Sequence, residues 1–172
     1  MTKQIDLTVF CSGPDRPIFM TPWTRDGYTY ATDGHVLVRV PHWDDIPNND
    51  KAPDVAGRYA FKKPVAEPVE IPALPPPELE PCPWCDDEED GEECFGCTEA
   101  RNCTGWKGGG IVRKRVEVTV GGVLYADRYI ELIKELPGLK FYPAPYSGAN
   151  RKANAAYFTF DGGDGLLMPL KG

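Results

Sequence analysis

The cysteines of the chain are concentrated in one short segment and have the spacing of a metal site. Five of the six lie in the pattern Cys-x2-Cys-x8-Cys-x2-Cys-x5-Cys; they are Cys82, Cys85, Cys94, Cys97 and Cys103. Two Cys-x2-Cys turns close together in sequence aim four thiolates at one point, which is what a tetrahedral zinc ion requires. Since so small a segment cannot bury a core of its own, we expect one structural zinc ion to fold it.

The spacing leaves some choices open. With five thiols for four ligand positions, Cys103 could replace Cys94 or Cys97. The spacing also does not distinguish a zinc site from an iron site. Disulfides are disfavoured because the first residues lack the pattern of an export signal, and unliganded thiols would leave five cysteines in a polar loop. A thiol-only ligand set argues against a catalytic metal, which keeps one coordination position open.

The other residues with reactive side chains do not form a catalytic motif. His35 and His42 are the two histidines, and neither has a partner at helical metal spacing. Cys11 has no activating neighbour in sequence, and no glycine cluster has the Walker or Rossmann pattern. We therefore expect a protein that is not an enzyme.

The acidic charge lies in the same region as the cysteines. The 172 residues carry a net charge of -7, and residues 71–104 alone hold 10 acidic and 1 basic side chains, including the run from Asp86 to Glu93. Because the flanks are about neutral, the charge does not exclude a nucleic-acid partner. No apolar run reaches the roughly 20 residues of a membrane helix. We expect a cytoplasmic protein with no membrane partner.

A proline-rich segment precedes the cysteines. Eight of the 20 residues from 64 to 83 are proline, which excludes a helix or a central strand and favours extended polyproline-type chain. We therefore expect a discontinuous α+β, β-rich domain from residues 1–63 and 111–172. Residues 64–81 would be a linker, and residues 82–110 an inserted, zinc-ribbon-like module.

Hydrophobic periodicity predicts the elements of the two flanks. In the first flank, two alternating runs around Asp33-Gly34 predict a hairpin with a tight turn. In the second, Asp127 can cap a helix that stops before Pro137-Gly138. The predicted strands are a weak one near Ile5 to Phe10, then Tyr28 to Thr32, Val36 to Val40, Arg113 to Val120, Leu139 to Tyr142, Ala155 to Phe160 and Leu166 to Leu170.

Two stretches of the chain resemble the bacterial β sliding clamp, the processivity ring of DNA polymerase III. They are Ala31-Thr32-Asp33-Gly34-His35-Val36-Leu37, similar to Ala-Thr-Asp-Gly-His-Arg-Leu in the clamp's middle domain, and Leu166-Leu167-Met168-Pro169-Leu170-Lys171, similar to the ending of its last domain. The helix and three strands before that ending occur in the same order. The resemblance covers under half of the chain, and Val36 replaces the family's basic residue.

The resemblance implies a clamp-like fold and a hydrophobic pocket that receives short peptides of DNA polymerases and other replication proteins. Carried over by position, the implied peptide-binding residues are Thr32, Gly34, His35, Leu37, Leu167, Met168, Pro169 and Leu170. A clamp-like processivity factor of about one domain would be a phage or mobile-element type of protein. A ring would need several copies of the chain, so a homo-oligomer is also implied.

Contact with DNA needs a basic surface, and the helix that would face DNA carries acidic residues as well as Arg128 and Lys134. The better candidates for phosphate binding are Arg113, Lys114, Arg115, Arg151 and Lys152. Two other functions remain open: a zinc-ribbon adaptor that binds proteins through the inserted module, and a DNA-mimicking inhibitor that uses the run from Asp86 to Glu93.

Overall fold

The computed structural model describes residues 5–13, 16–55, 61, 64–81, 111–145 and 155–170. These residues contain ten strands, one α-helix and two short 3₁₀ turns. The elements are β1 Trp23–Arg25, β2 Tyr28–Thr32, β3 Val36–Pro41, β4 Leu79–Pro81, β5 Ile111–Arg113, β6 Glu117–Val120, β7 Val123–Ala126, α1 Asp127–Lys134, β8 Lys140–Tyr142, β9 Ala156–Phe160 and β10 Gly163–Leu167, with 3₁₀ turns at Leu7–Phe10 and Pro17–Phe19. The β-rich α+β class predicted from the sequence is confirmed.

The two flanks of the chain build one antiparallel sheet. Its strand order is β1-β2-β3-β10-β9-β8, so the first flank supplies one half and the second flank the other. The halves meet where β3 pairs with β10, with Leu37 opposite Leu166 and Val38 opposite Gly165. Gly165 has no side chain, and the ring of Phe158 from β9 occupies that space.

Each face of this sheet has its own hydrophobic core. On the first face, alternate residues Val36, Val38 and Val40 of β3 pack with α1 and the β6–β7 hairpin. The intervening Leu37 belongs to a second cluster on the other face. This cluster includes Leu166 and one aromatic ring from each of β1, β2, β8 and β9, namely Trp23, Tyr30, Tyr142 and Tyr157. Period-two alternation in β3 and β10 therefore decides which core a residue joins.

The helix α1 begins one residue earlier than it would if Asp127 were its N-cap. Ala126 is the N-cap, and Asp127 is the first helical residue. The Asp127 carboxylate is buried, and it accepts hydrogen bonds from the guanidinium of Arg113 and the backbone N–H of Val116. The prediction that Asp127 caps the helix is wrong, because this ion pair draws the side chain towards β5 instead.

Two strand predictions are also wrong. The alternating run from Arg113 to Val120 is divided between β5 and β6. After a turn at Gly121-Gly122, β6 is followed by β7, a strand that the sequence did not predict. Both glycines have positive φ, 59° and 81°, as a two-residue hairpin turn requires. The weak strand near Ile5 to Phe10 is replaced by the first 3₁₀ turn, capped by Asp6.

The outer edges of the six-stranded sheet are covered by irregular chain. Val69, in the proline-rich strap (residues 64–78), donates its backbone N–H to the carbonyl of Phe141 in β8, at 2.8 Å. Ile71 and Leu74 of the strap pack against the first core. At the opposite edge, Thr24 of β1 forms a parallel bridge with Asn48.

The strap leads into β4, and β4 pairs with β5 as a two-stranded ribbon, with Pro81 opposite Ile111. The two ends of the expected insertion are therefore adjacent. The insertion itself, residues 82–110, lies outside the described residues, as does the zinc-ribbon fold expected of it. In the described ranges, no helix has the length and apolar character needed to cross a bilayer.

Candidate functional site

A pocket opens on the second face of the sheet, where the loop of residues 33–35 meets the end of β10. Its cavity volume is about 70 Å³, and its lining is mainly apolar. The lining residues are Phe19, Thr32, Gly34, His35, Val36, Leu37, Val55, Leu166 and Met168. Since one water molecule occupies roughly 30 Å³ of liquid, the cavity has room for the end of one aliphatic side chain.

Most of the residues implied by the clamp resemblance meet at this pocket. Those that line it are Thr32, Gly34, His35, Leu37 and Met168. Leu167 is instead fully buried in the first core, and Leu170 packs against that core and donates its N–H to the Leu124 carbonyl. Pro169, half-buried, is not part of the lining. Neighbours on β10 face opposite sides of the sheet, which separates Leu167 from Leu166.

Four further lining residues, Phe19, Val36, Val55 and Leu166, were not in the set implied by the resemblance. Leu166 lies opposite Leu37 in the β3–β10 pairing, so strand register would have indicated it. Phe19 follows Pro17 in the second 3₁₀ turn, and Val55 comes from the segment after β3. Neither of these has a periodic pattern around it, so their place could not be inferred from sequence.

The loop between β2 and β3 is held by side chains. The hydroxyl of Thr32 accepts the N–H of Gly34 at 3.0 Å and donates to the carbonyl of Val36 at 2.5 Å. One carboxylate oxygen of Asp33 accepts the N–H groups of His35, at 2.8 Å, and Val36, at 3.1 Å. The predicted hairpin is confirmed, but the tight turn at Asp33-Gly34 is wrong, because Thr32 and Leu37 are the last paired residues and a wider loop joins them.

The helix α1 fixes this loop from the side of the first core. The hydroxyl of Tyr129 donates a hydrogen bond to the second carboxylate oxygen of Asp33 at 2.6 Å. The ring of Tyr129 also stacks on His35, with centroids 5.7 Å apart and an angle of 22° between the planes. Burial raises the pKa of Tyr129 well above its usual range, so its hydroxyl stays protonated as the donor. The loop at the pocket thus has a rigid support.

His35 contributes a neutral ring to the pocket. Burial lowers its pKa below the usual 6.5, the nearby charge of Asp33 acts in the opposite direction, and the charges of Arg128, Arg16 and Arg115 lower it further. A folded-state pKa below that value leaves the imidazole uncharged at pH near 7. The pocket therefore has an apolar lining and a polar but uncharged edge.

The five residues predicted to bind phosphate have different surroundings. Arg113 is paired with Asp127 and Glu131, and Lys114 with Glu78 at 2.9 Å. Arg115 is exposed, and no carboxylate partner for it exists among the described side chains. Arg151 and Lys152 lie outside the described residues.

The metal prediction concerns a part of the chain that the structure does not describe. Cys82, Cys85, Cys94, Cys97 and Cys103 all lie outside the described residues. Within the described residues, no group of three or more His, Cys, Asp and Glu side chains could hold a metal ion. Cys11, the remaining cysteine, is buried, with its sulfur 3.7 Å from the carbonyl oxygen of Leu7.

Comparisons of the chain with protein-family models, with curated proteins and with solved structures find no match.

Proposed function

We propose that the protein is a non-enzymatic, sliding-clamp-like factor of DNA replication, of phage or mobile-element type, whose pocket binds a short peptide segment of a polymerase or another replication protein. One observation carries the proposal. Five residues selected by the clamp resemblance, from segments about 130 residues apart in the chain, line the same pocket: Thr32, Gly34, His35, Leu37 and Met168.

The chemistry of the pocket suits an apolar side chain of such a peptide. Met168 is flexible and polarisable, so it can adapt its shape to an incoming group. Ile18 and Met20, the sequence neighbours of the lining residue Phe19, are 47% and 46% exposed. Exposed apolar side chains near a cavity are typical of a protein-binding surface. A peptide could therefore place one side chain in the cavity and a second on Ile18 and Met20.

The proposal is tested by fluorescence anisotropy with a labelled peptide that carries the clamp-binding motif of a polymerase. Met168→Ala should weaken binding about tenfold, as expected when a residue at the centre of a small interface is truncated. The matched control is Leu79→Ala, which truncates an apolar side chain that is 68% exposed and lies on β4, away from the pocket. Lack of saturable binding, or equal binding by the two variants, would overturn the proposal.

Direct contact with DNA has less support than peptide binding. Arg113 and Lys114 already neutralise carboxylates, so they have less charge to offer to phosphate groups. Whether several copies form a ring around DNA is tested by native mass spectrometry of the purified protein, which reports the number of subunits. A monomer would leave the peptide-binding proposal intact and remove encirclement of DNA from it.

A second candidate function is a zinc-ribbon adaptor, in which residues 82–110 bind the partner. Its support is the β4–β5 ribbon, which holds the two ends of that segment together at Pro81 and Ile111, as expected for a module inserted into a finished domain. Replacing residues 82–110 by a short glycine-serine turn should abolish partner binding if this function is correct, and should spare peptide binding if the pocket binds the partner. Mass spectra with and without a chelator test for one bound zinc ion per chain.

A further inference from the structure

Arg128 extends the site beyond its apolar lining. Its guanidinium lies 4.5 Å from the ring centroid of Tyr129 and donates a hydrogen bond to the Tyr129 hydroxyl at 2.8 Å. Tyr129 is in turn stacked on His35 in the pocket lining. Packing on the ring fixes the direction of the guanidinium, and within the described residues one of its five N–H donors is engaged, by the Tyr129 hydroxyl. A cation with spare donors therefore lies beside the pocket.

Arg115 adds a second positive charge to the same region. The carbonyl of Val116, the next residue, accepts the backbone N–H of Asp127, and the N–H of Val116 donates to the Asp127 carboxylate. These bonds bring Arg115 close to the start of the helix that carries Arg128. Both arginines act electrostatically on His35. Within the described part of the chain, neither is paired with a carboxylate.

The carboxylates nearby are already engaged. Asp33 accepts from Tyr129 and from the backbone of its own loop, while Asp127 and Glu131 are both bound by Arg113. Arg16, on the other side of the loop, donates to the backbone carbonyl of Asp33 at 2.9 Å. The edge of the pocket towards α1 is therefore positive, and a ligand of complementary charge would carry an acidic group there.

We propose that Arg115 and Arg128 together bind the carboxylate of an acidic residue that adjoins the apolar anchor of the bound peptide. This inference rests on the proposed peptide-binding function and specifies its ligand as an acidic peptide. A peptide fits better than a nucleic acid, because the cationic pair adjoins a cavity for an aliphatic side chain. The neighbouring Arg113 and Lys114, which a phosphate backbone would also need, are neutralised within the fold.

The test compares two labelled peptides with the same clamp-binding motif, one flanked by glutamates and the other by glutamines. The full-length protein should bind the glutamate peptide about tenfold more tightly at low salt, and should lose most of this preference at about 0.5 M salt. Arg115→Gln and Arg128→Gln should each reduce the preference about threefold. Lys140→Gln is the matched control, because it removes one exposed cation on β8, two strands away from β10.

The outcomes separate the inference from the proposed function. Equal affinities of the wild-type protein for the two peptides would overturn the inference. So would an equal loss of preference in Lys140→Gln, since overall charge would then be responsible. The proposed function itself fails only if the glutamine peptide does not bind or binds without regard to Met168→Ala. A single-stranded oligonucleotide that displaces the peptide, and that depends on the same two arginines, would assign the positive edge to nucleic acid instead.

Discussion

The chain contains two Asp-Gly turns close together in sequence, and they differ in almost every physical respect. Asp26-Gly27 joins β1 to β2 as a two-residue turn with φ of 51° and 78°, and the nearest charged partner of Asp26 is its neighbour Arg25, at 3.4 Å. Asp33-Gly34 starts a wider loop, where the carboxylate of Asp33 accepts three hydrogen bonds. The first turn only reverses the chain, whereas the second builds one side of the pocket.

The cause of the difference lies outside the dipeptide. Tyr129, which is 96 residues from Asp33 in sequence, supplies a hydroxyl to the carboxylate, and Thr32 closes the loop with its own hydroxyl. At Gly34, Arg16 crosses so closely that a β-carbon built there would lie 2.3 Å from its Nη1 atom, whereas Gly27 has open space around it. The Asp-Gly dipeptide therefore serves as a simple turn at Asp26-Gly27 and as part of the candidate site at Asp33-Gly34.

The largest expected difference between the turns concerns the aspartates. Asp33→Asn should lower the free energy of unfolding by about 2 kcal/mol, because the amide cannot accept from Tyr129 while it also keeps both backbone hydrogen bonds. Asp26→Asn, the matched control, should change it by less than about 0.5 kcal/mol, since its ion pair is exposed. Urea denaturation of the variants measures both values. Equal effects would mean that the hydrogen bonds of Asp33 do not stabilise the fold.

The glycines should differ less. Gly27→Ala should cost about 1 kcal/mol of stability, the ordinary cost of a β-carbon at positive φ. Gly34→Ala should cost about 2 kcal/mol, because φ is also positive, at 94°, and Arg16 has to move as well. Thermal unfolding provides the comparison, and anisotropy with the labelled peptide adds a second measure. Only Gly34→Ala should weaken peptide binding; an equal loss in Gly27→Ala would contradict the assignment of the second loop to the site.

The smallest expected effect is on the pH dependence, since the imidazole that follows the second turn, His35, is only partly withdrawn from solvent, with 51% of its side chain exposed. Burial lowers the pKa of His35 in the folded protein, so below about pH 6.5 the unfolded chain binds more protons than the folded one. Stability is then complete above that pH and decreases as the pH falls. His35→Gln should reduce the change in Tm between about pH 7 and pH 5, with His42→Gln as the control that removes the other imidazole. An unchanged slope in His35→Gln would refute the proposed origin.

The sequence predicts those parts of the fold that depend on neighbouring residues. Alternation of valines in β3 and the apolar periodicity of α1 are local, and a strand and a helix occur where these patterns lie. The strand predicted at Leu166 to Leu170 is instead β10, Gly163–Leu167, which begins and ends three residues earlier. The role of Asp127 is different. Its residue type favours a helix cap, but Arg113, brought close by β5, engages its carboxylate in an ion pair, and that contact depends on the folded chain.

The candidate site shows the same division. The clamp resemblance selected Leu37 and Met168 for the pocket, and both line it. It also selected Leu167, which faces the first core, because a resemblance by position does not tell which side of β10 faces the cavity. Arg115 lies near the start of α1 only because the next residue, Val116, is hydrogen-bonded to Asp127. Such proximity depends on tertiary structure, and sequence spacing does not reveal it.

The bridges made by Val69 and Asn48 have a consequence for how the protein can assemble. An open sheet edge is a template on which a strand from another molecule can add, and such addition can continue into polymers. Here the carbonyl of Phe141 and both backbone groups of Thr24 are already bonded within the chain. Strand exchange between copies would first have to break the hydrogen bonds that join the strap to β8 or residues 47–49 to β1. Backbone pairing between copies at these two edges of the six-stranded sheet is therefore opposed by contacts within the chain.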